Sequence, residues 1–256
     1  MIVIVTLLIA VLLIVRYTLY RSTFKPYNAE DIEYTGLTRE YYPNSNGNAI
    51  DVVYQKVPKK DYVIIYFHGN SGRSKNTIDY LRKNKHPFIS IAYPGYHSSS
   101  GKPNIKLTQD SVSLLMNFVK QNFVESERTK IYIVGHSLGS QTALYFASIY
   151  HKEISGIVIV NGFASIRQMC EHTLKKYHIQ NLCIIAQDYF NGLSYVKNIH
   201  LPTYHQFHLE NDDVIPYTAG LYIFNKINAN SKDFTTLKNG THHNFPHDDV
   251  FNVIVK

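Results

Sequence analysis

The stretch KIYIVGHSLGSQTALYFASIY, Lys130 to Tyr150, decides the fold. Lys130 to Val134 is a nearly apolar run of strand length, and Leu138 to Tyr150 has a helical pattern. Between them stands Gly135-His136-Ser137-Leu138-Gly139. A Gly-x-Ser-x-Gly pattern is weak alone, and the bland alternative is a turn that merely contains a serine. A strand directly before it and a helix directly after supply the context that a sharp strand-to-helix turn requires. In such a turn, side chains at Gly135 and Gly139 would clash with neighbouring strands. Ser137 then projects from the strand end with its hydroxyl open to a base. The backbone N–H of Leu138, at a helix N-terminus, is placed to stabilise an oxyanion.

Outward from this stretch the same rhythm repeats. Tyr62 to Phe67 (YVIIYF), Phe88 to Tyr93 (FISIAY) and Ile154 to Val160 (ISGIVIV) are near-continuous apolar runs, as strands covered on both faces are. Thr203 to Leu209 and Asp233 to Leu237 are weaker strand candidates. Thr108 to Phe123 sets Val112, Leu115, Met116 and Val119 on one helical face. Tyr217 to Ile227 and Val250 to Val255 are further helix candidates. This alternation predicts an α/β fold, a mostly parallel doubly wound sheet with helices on both faces. The expected organisation is an anchor over 1–20, a linker and domain start over 21–50, and the domain over 51–256. A stretch over about 164–200, richer in His, Lys and Tyr, breaks the rhythm and reads as a small insertion.

Composition narrows the function classes. Lys and Arg number 26 against 19 Asp and Glu, a net charge of +7. The cations are scattered, in pairs at most, such as Lys59-Lys60 and Lys175-Lys176. Without a basic stripe interleaved with aromatics, a nucleic-acid partner is not expected. Cys170 and Cys183 are the two cysteines; they cannot form a disulfide framework, and free thiols are expected over a single bridge. No Cys/His set has zinc spacing. Pro246 breaks the helical spacing of His243 and His247, and His205 and His208 fall on opposite faces of a strand. No metal or other cofactor is expected.

The N-terminus reads MIVIVTLLIAVLLIV, followed by Arg16 and aromatic Tyr17 and Tyr20. As a helix, the first twenty residues would span roughly 30 Å, about one hydrocarbon core. No Lys or Arg precedes the run and no Ala-x-Ala follows it, so an uncleaved transmembrane anchor is expected over a signal peptide, with membrane lipid as its partner. Arg16, Arg21 and Lys25 follow the run, which by the positive-inside rule puts the domain in the cytosol. Asn239-Gly240-Thr241 is a formal glycosylation sequon and argues the other way. A glycan there would sit four residues from His243.

Phe67-His68-Gly69-Asn70-Ser71-Gly72 ends the YVIIYF strand, and its turn offers a second oxyanion donor in the backbone N–H of Asn70. His68 is expected to hold that loop through hydrogen bonds. An orienting carboxylate is expected from Glu210-Asn211-Asp212-Asp213, with Asp212 first, Asp213 in reserve and Glu210 third. The end of the Ile154 strand has Asn161-Gly162-Phe163 and no acid. The base is expected from Gly240-Thr241-His242-His243-Asn244, where either histidine could reach the serine.

With these segments in order, the chain resembles the α/β-hydrolase superfamily from about Asp51 onward. Within it, the chain is similar to the branch of N-terminally anchored single-domain serine hydrolases that includes depalmitoylase-like enzymes. The resemblance rests on the Phe67–Gly72 segment, Tyr93-Pro94-Gly95-Tyr96 with Ser100-Gly101-Lys102-Pro103, the Ser137 turn, Leu201-Pro202 leading into Asp212-Asp213-Val214-Ile215-Pro216, and Gly240-x-x-His243-Asn244. It selects His243 as base and Asp212 as acid. It implies a serine hydrolase acting on an ester or thioester through an acyl-enzyme, with lipid or acylated protein as substrate. A peptidase of the same fold and a non-catalytic binding protein are the alternatives. Departures such as Ala92-Tyr93-Pro94 for Asp-Tyr-Arg, Leu209 and Ser140 for Gly, and His97 for Gly touch the pocket and not the catalytic groups.

Overall fold

The computed structural model describes residues 23–26, 32–124, 126, 128–175, 178, 180–185, 190–197 and 199–255, with isolated positions between 6 and 18. The expected anchor falls mostly outside the described residues. Among those described, no helix is long and apolar enough to cross a membrane.

Eight strands make one sheet: β1 (Thr38–Pro43), β2 (Ala49–Gln55), β3 (Tyr62–Phe67), β4 (Phe88–Ile91), β5 (Lys130–His136), β6 (Gly156–Val160), β7 (Leu201–Leu209) and β8 (Ala229–Leu237). Their spatial order is β1-β2-β4-β3-β5-β6-β7-β8. The β1–β2 and β2–β4 pairings are antiparallel, and the rest are parallel. The described helices are α1 (Lys75–Lys83), α2 (Ile105–Ser113), α3 (Leu115–Phe123), α4 (Gly139–Tyr150), α5 (Ile166–Lys175), α6 (Gly192–Val196), α7 (Tyr217–Lys226) and α8 (His247–Val255), with a 3-10 helix at Gln180–Ile185.

YVIIYF is buried at every position because helices cover both faces of the sheet. Its alternate residues enter different cores. Val63, Ile65 and Phe67 belong to one hydrophobic cluster with Val112, Leu144 and Ile223, whereas Ile64 and Tyr66 belong to another with Ile78, Val250 and Phe251. The period of two along a strand sends neighbours to opposite sides.

The sheet begins at Thr38, within the 21–50 stretch expected to hold the domain's start, with β1, a polar edge strand that is almost wholly exposed. Two local features differ from expectation. The helix expected over Thr108 to Phe123 is two helices, α2 and α3, meeting at Leu114. There the hydroxyls of Ser111 and Ser113 donate to the carbonyls of Leu107 and Gln109 one turn back, a bond that bends helices. Cys170 and Cys183 are not free thiols: they form a disulfide between α5 and the 3-10 helix, with Cα atoms 5.8 Å apart. A loop of this size is closed at a stabilisation of about 3 kcal/mol. The spacing of 13 residues does not reveal that a helix and a 3-10 turn fold back on each other.

A buried ion pair fastens the antiparallel edge to the loop after β3. Asp51, fully buried, accepts from Arg73 Nη1 at 3.0 Å and from Arg39 Nη2 at 2.9 Å. Arg73 Nη2 also donates to the carbonyls of Asp51 and Ser90. Burial alone would raise the Asp51 carboxyl, but the two guanidiniums hold it below the usual carboxylate range. The stabilisation is therefore complete at neutral pH and is lost as pH falls through that depressed value. Asp51→Asn leaves Arg73 buried without a counter-charge and is expected to lower unfolding stability by about 3–5 kcal/mol in urea denaturation. A loss of less than about 1 kcal/mol would show that Arg73 escapes to solvent.

Candidate active site

The β5–α4 turn holds Ser137 in a left-handed conformation, with φ of +54°. A β-carbon-bearing residue seldom adopts this, and it persists only where surrounding contacts impose it. Here they do. A Cβ at Gly135 would lie 2.6 Å from the Gly139 carbonyl oxygen, and one at Gly139 would overlap the backbone of Phe67 on β3. The glycines let α4 start against the neighbouring strand, and the Ser137 N–H donates to Val160 O at 2.9 Å. Ser137 is left at the carboxyl end of β5, the end of a parallel sheet where ligands bind.

His242 meets this serine. Its Nε2 is 2.9 Å from Ser137 Oγ, and its Nδ1 is 2.9 and 2.8 Å from the two Asp212 oxygens. His243, selected by the resemblance, is not the partner. Successive residues of the β8–α8 turn point to different sides, so His243 is exposed and its ring stands edge-on to His242, 5.0 Å away. It lines the cleft outside Ser137 instead. The sequence signal for His242 was the pair itself; choosing between its members needs the turn's direction.

Asp212 occupies the expected position. Its Oδ1 also accepts the backbone N–H groups of Val214 and Ile215, each at 2.8 Å. Burial would raise this carboxyl, and the His242 bond with the two amides outweighs burial and holds it below its ordinary value. It therefore stays ionised at neutral pH and can keep the His242 proton on Nδ1, leaving Nε2 as acceptor for the serine hydroxyl. Asp213 and Glu210 are exposed.

Two residues that the sequence did not single out as supports hold this arrangement. His136 Nε2 donates to the His242 carbonyl at 2.7 Å, which fixes its tautomer. Burial first, then His242 nearby, pushes its pKa down to about 3, so it serves as a neutral donor. Asn161 stands where a carboxylate is absent. Its Oδ1 accepts the Leu209 N–H at 3.0 Å, and its Nδ2 donates to the His242 carbonyl at 3.5 Å. It thus ties the end of β6 to the strand carrying Asp212 and to the turn carrying His242.

The loop after β3 closes the other side. A Cβ at Gly69 would lie 3.4 Å from Ser137 Cβ, which sets Asn70 beside the serine. Among the described hydrogen bonds, the N–H groups of Leu138 and Asn70 have no acceptor. His68 holds the loop, as expected: its Nδ1 donates to Gly69 O at 2.7 Å and its Nε2 accepts the Tyr93 N–H. Tyr96 Oη donates to Asn70 O at 2.9 Å. The cleft outside Ser137, about 620 Å³, is bordered by Asn70, Ser71, Lys75, Ile32, Pro26 and Lys25.

Comparison with known proteins bears on the fold. Residues 62–181 match the family model described as the alpha/beta hydrolase fold. Protein bem46 of Schizosaccharomyces pombe is 23% identical over 190 residues, 72% of this chain but only 62% of that protein, less than two thirds of its length. Among solved structures, an esterase of Pyrococcus furiosus superposes with a TM-score of 0.63 at 13% identity, covering 86% of this chain and 89% of that one. Mouse alpha/beta hydrolase domain-containing protein 10 gives 0.60 at 16% identity, covering 85% and 96%. At these identities the structures speak for the fold alone. The matched segment, just under half of the chain, contains β3, the Asn70 loop and the Ser137 turn: the chain has the α/β-hydrolase fold.

Proposed function

We propose that this protein is a serine hydrolase that cleaves an ester or thioester through an acyl-enzyme. The observation that carries the reading is the continuous hydrogen-bonded series from Ser137 Oγ through His242 to Asp212. His242 Nε2 takes the hydroxyl proton as Oγ attacks the substrate carbonyl, and Asp212 stabilises the imidazolium. The amides of Leu138 and Asn70 receive the oxyanion, each donor contributing about 3 kcal/mol to the transition state. His242 then protonates the leaving group, and water repeats the sequence on the acyl-enzyme. A cleft of about 620 Å³ suits a small-molecule acyl group. The apolar N-terminal stretch supports a membrane anchor, hence lipid or acylated protein substrates of the kind met by the depalmitoylase-like branch.

The compartment reads differently with the disulfide in view. Bridges such as Cys170–Cys183 persist in oxidising compartments and are rare in the reducing cytosol. The sequon residue Asn239 is exposed. Both support an extracytoplasmic domain over the cytosolic side suggested by Arg16, Arg21 and Lys25.

Two measurements test these readings. Fluorophosphonate labelling should be strong in the natural chain and absent in Ser137→Ala. His242→Ala should lose about 10⁴-fold or more in turnover, as removal of a triad histidine does. His243→Ala should stay within about tenfold of the natural rate, because an exposed residue outside the hydrogen-bonded series supplies no proton transfer. If His243→Ala is the inactive variant, the base has been misassigned. For the compartment, a thiol-reactive polyethylene glycol added to protein denatured without reductant should modify neither cysteine, and should modify both after reduction. Two reactive thiols without reductant would return the domain to the cytosol.

A further inference from the structure

The chain reaches the rim of the Ser137 cleft directly from its apolar N-terminus. Phe24 is buried, its ring 5.9 Å from that of Phe190 in the insertion. Lys25 donates its backbone N–H to the Asn70 carbonyl at 3.2 Å, and the same carbonyl accepts Tyr96 Oη. Lys25 and Pro26 then line the cleft. Residues 23–26 are thus a strap fastened to the loop beside Ser137.

Upstream of the strap, the described residues are exposed and mostly apolar. Val11, Leu13, Ile14 and Tyr17 are helical and 56–64% exposed. Tyr17 and Phe24 are seven residues apart, so their Cα atoms are separated by at most about 25 Å. The exposed apolar helix therefore cannot lie far from the cleft. Exposed apolar surface of this kind marks an interaction with an apolar partner. A lipid bilayer is the partner that matches an apolar run of fifteen residues, Met1 to Val15, followed by an arginine, two tyrosines and then Lys25. The rim chemistry agrees. Lys25 and Lys75 border the cleft, the half-exposed Lys75 also pairing with Asp79 one turn on at 3.2 Å, and no Asp or Glu is among the described lining residues. Cations with apolar stems suit the headgroup layer.

We propose that the rim formed by Lys25, Pro26 and Lys75 rests on the lipid bilayer that holds the N-terminal helix, so that the Ser137 cleft opens at the membrane surface and receives its acyl chain from the lipid side. The route of the acyl chain rests on the hydrolase reading above; the seating of the rim does not.

The test uses the full chain in phosphatidylcholine nanodiscs containing a lipid with a quencher on its headgroup. A fluorophore is attached at Ser71→Cys, on the exposed rim, and in a second protein at Lys60→Cys, ahead of β3 at the opposite end of the parallel strands. The Ser71 probe should be quenched several-fold more than the Lys60 probe. Lys25→Pro, which removes the strap's N–H donor, should narrow that difference. Equal quenching, or stronger quenching at Lys60, overturns the proposal. So does a shielded Ser71 probe without quenching in a cross-linkable dimer, which would make a second copy of the chain the occupant. Fluorophosphonate labelling of the natural chain and of the Lys60 sample in the same nanodiscs separates the two readings: quenching at Ser71 with neither of these labelled would sink the hydrolase and leave the bilayer seating standing.

Discussion

The rest of the site depends on the close approach of Gly139 to the backbone of Phe67. Helix α4 can begin at the end of β5 only because no Cβ stands between it and β3, and that approach drives Ser137 into a left-handed backbone that its side chain would otherwise avoid. The same contact brings the β3 loop against the serine, so Ser137 and the N–H groups of Leu138 and Asn70 are placed by one packing constraint. Strain at one residue is held by the packing of the β5–α4 turn against β3, and the sheet is rigid there because both its faces are buried.

Around this turn the supports are polar and converge on two carbonyls. The His242 carbonyl accepts from His136 and Asn161, which belong to β5 and to the end of β6. The Asn70 carbonyl accepts from Tyr96 and from the Lys25 amide. In each case a backbone oxygen of a loop that touches Ser137 is held from two separate elements, so the loop inherits the position of the sheet. His136 can serve in this way because burial keeps it neutral with its proton on Nε2. Arg73 extends the scheme outward, joining the Asn70 loop to Asp51 on β2 through a pair removed from solvent. Such a pair contributes geometry more than net stability, and its loss is costly because one buried charge would remain.

The catalytic reading and the membrane reading meet at the strap. The segment that follows the apolar run borders the cleft and bonds the loop proposed to receive the oxyanion. Attachment to lipid and the shape of the site would then be coupled through a few residues.

What the sequence determined alone is whatever is periodic or local. Strands covered on both faces are unbroken apolar runs, so β3, β5 and β6 were legible, as was the turn at Ser137 with its flanking glycines. Asp212 was legible because it follows a strand and precedes a helix at the carboxyl end of the parallel strands. What only tertiary structure decided is whatever depends on side-chain direction or on distant segments meeting. His242 and His243 are chemically identical neighbours, and the turn between β8 and α8 sends one inward and the other to solvent. The Cys170–Cys183 bridge needs a helix and a 3-10 turn to fold together, and β1 is a polar edge whose pairing with β2 leaves no apolar period. Asn161 and His136 both bond to the His242 carbonyl, 81 and 106 residues away. No pattern along the chain encodes such separations, because they follow from the sheet order that sets β6 and the His242 turn beside β5.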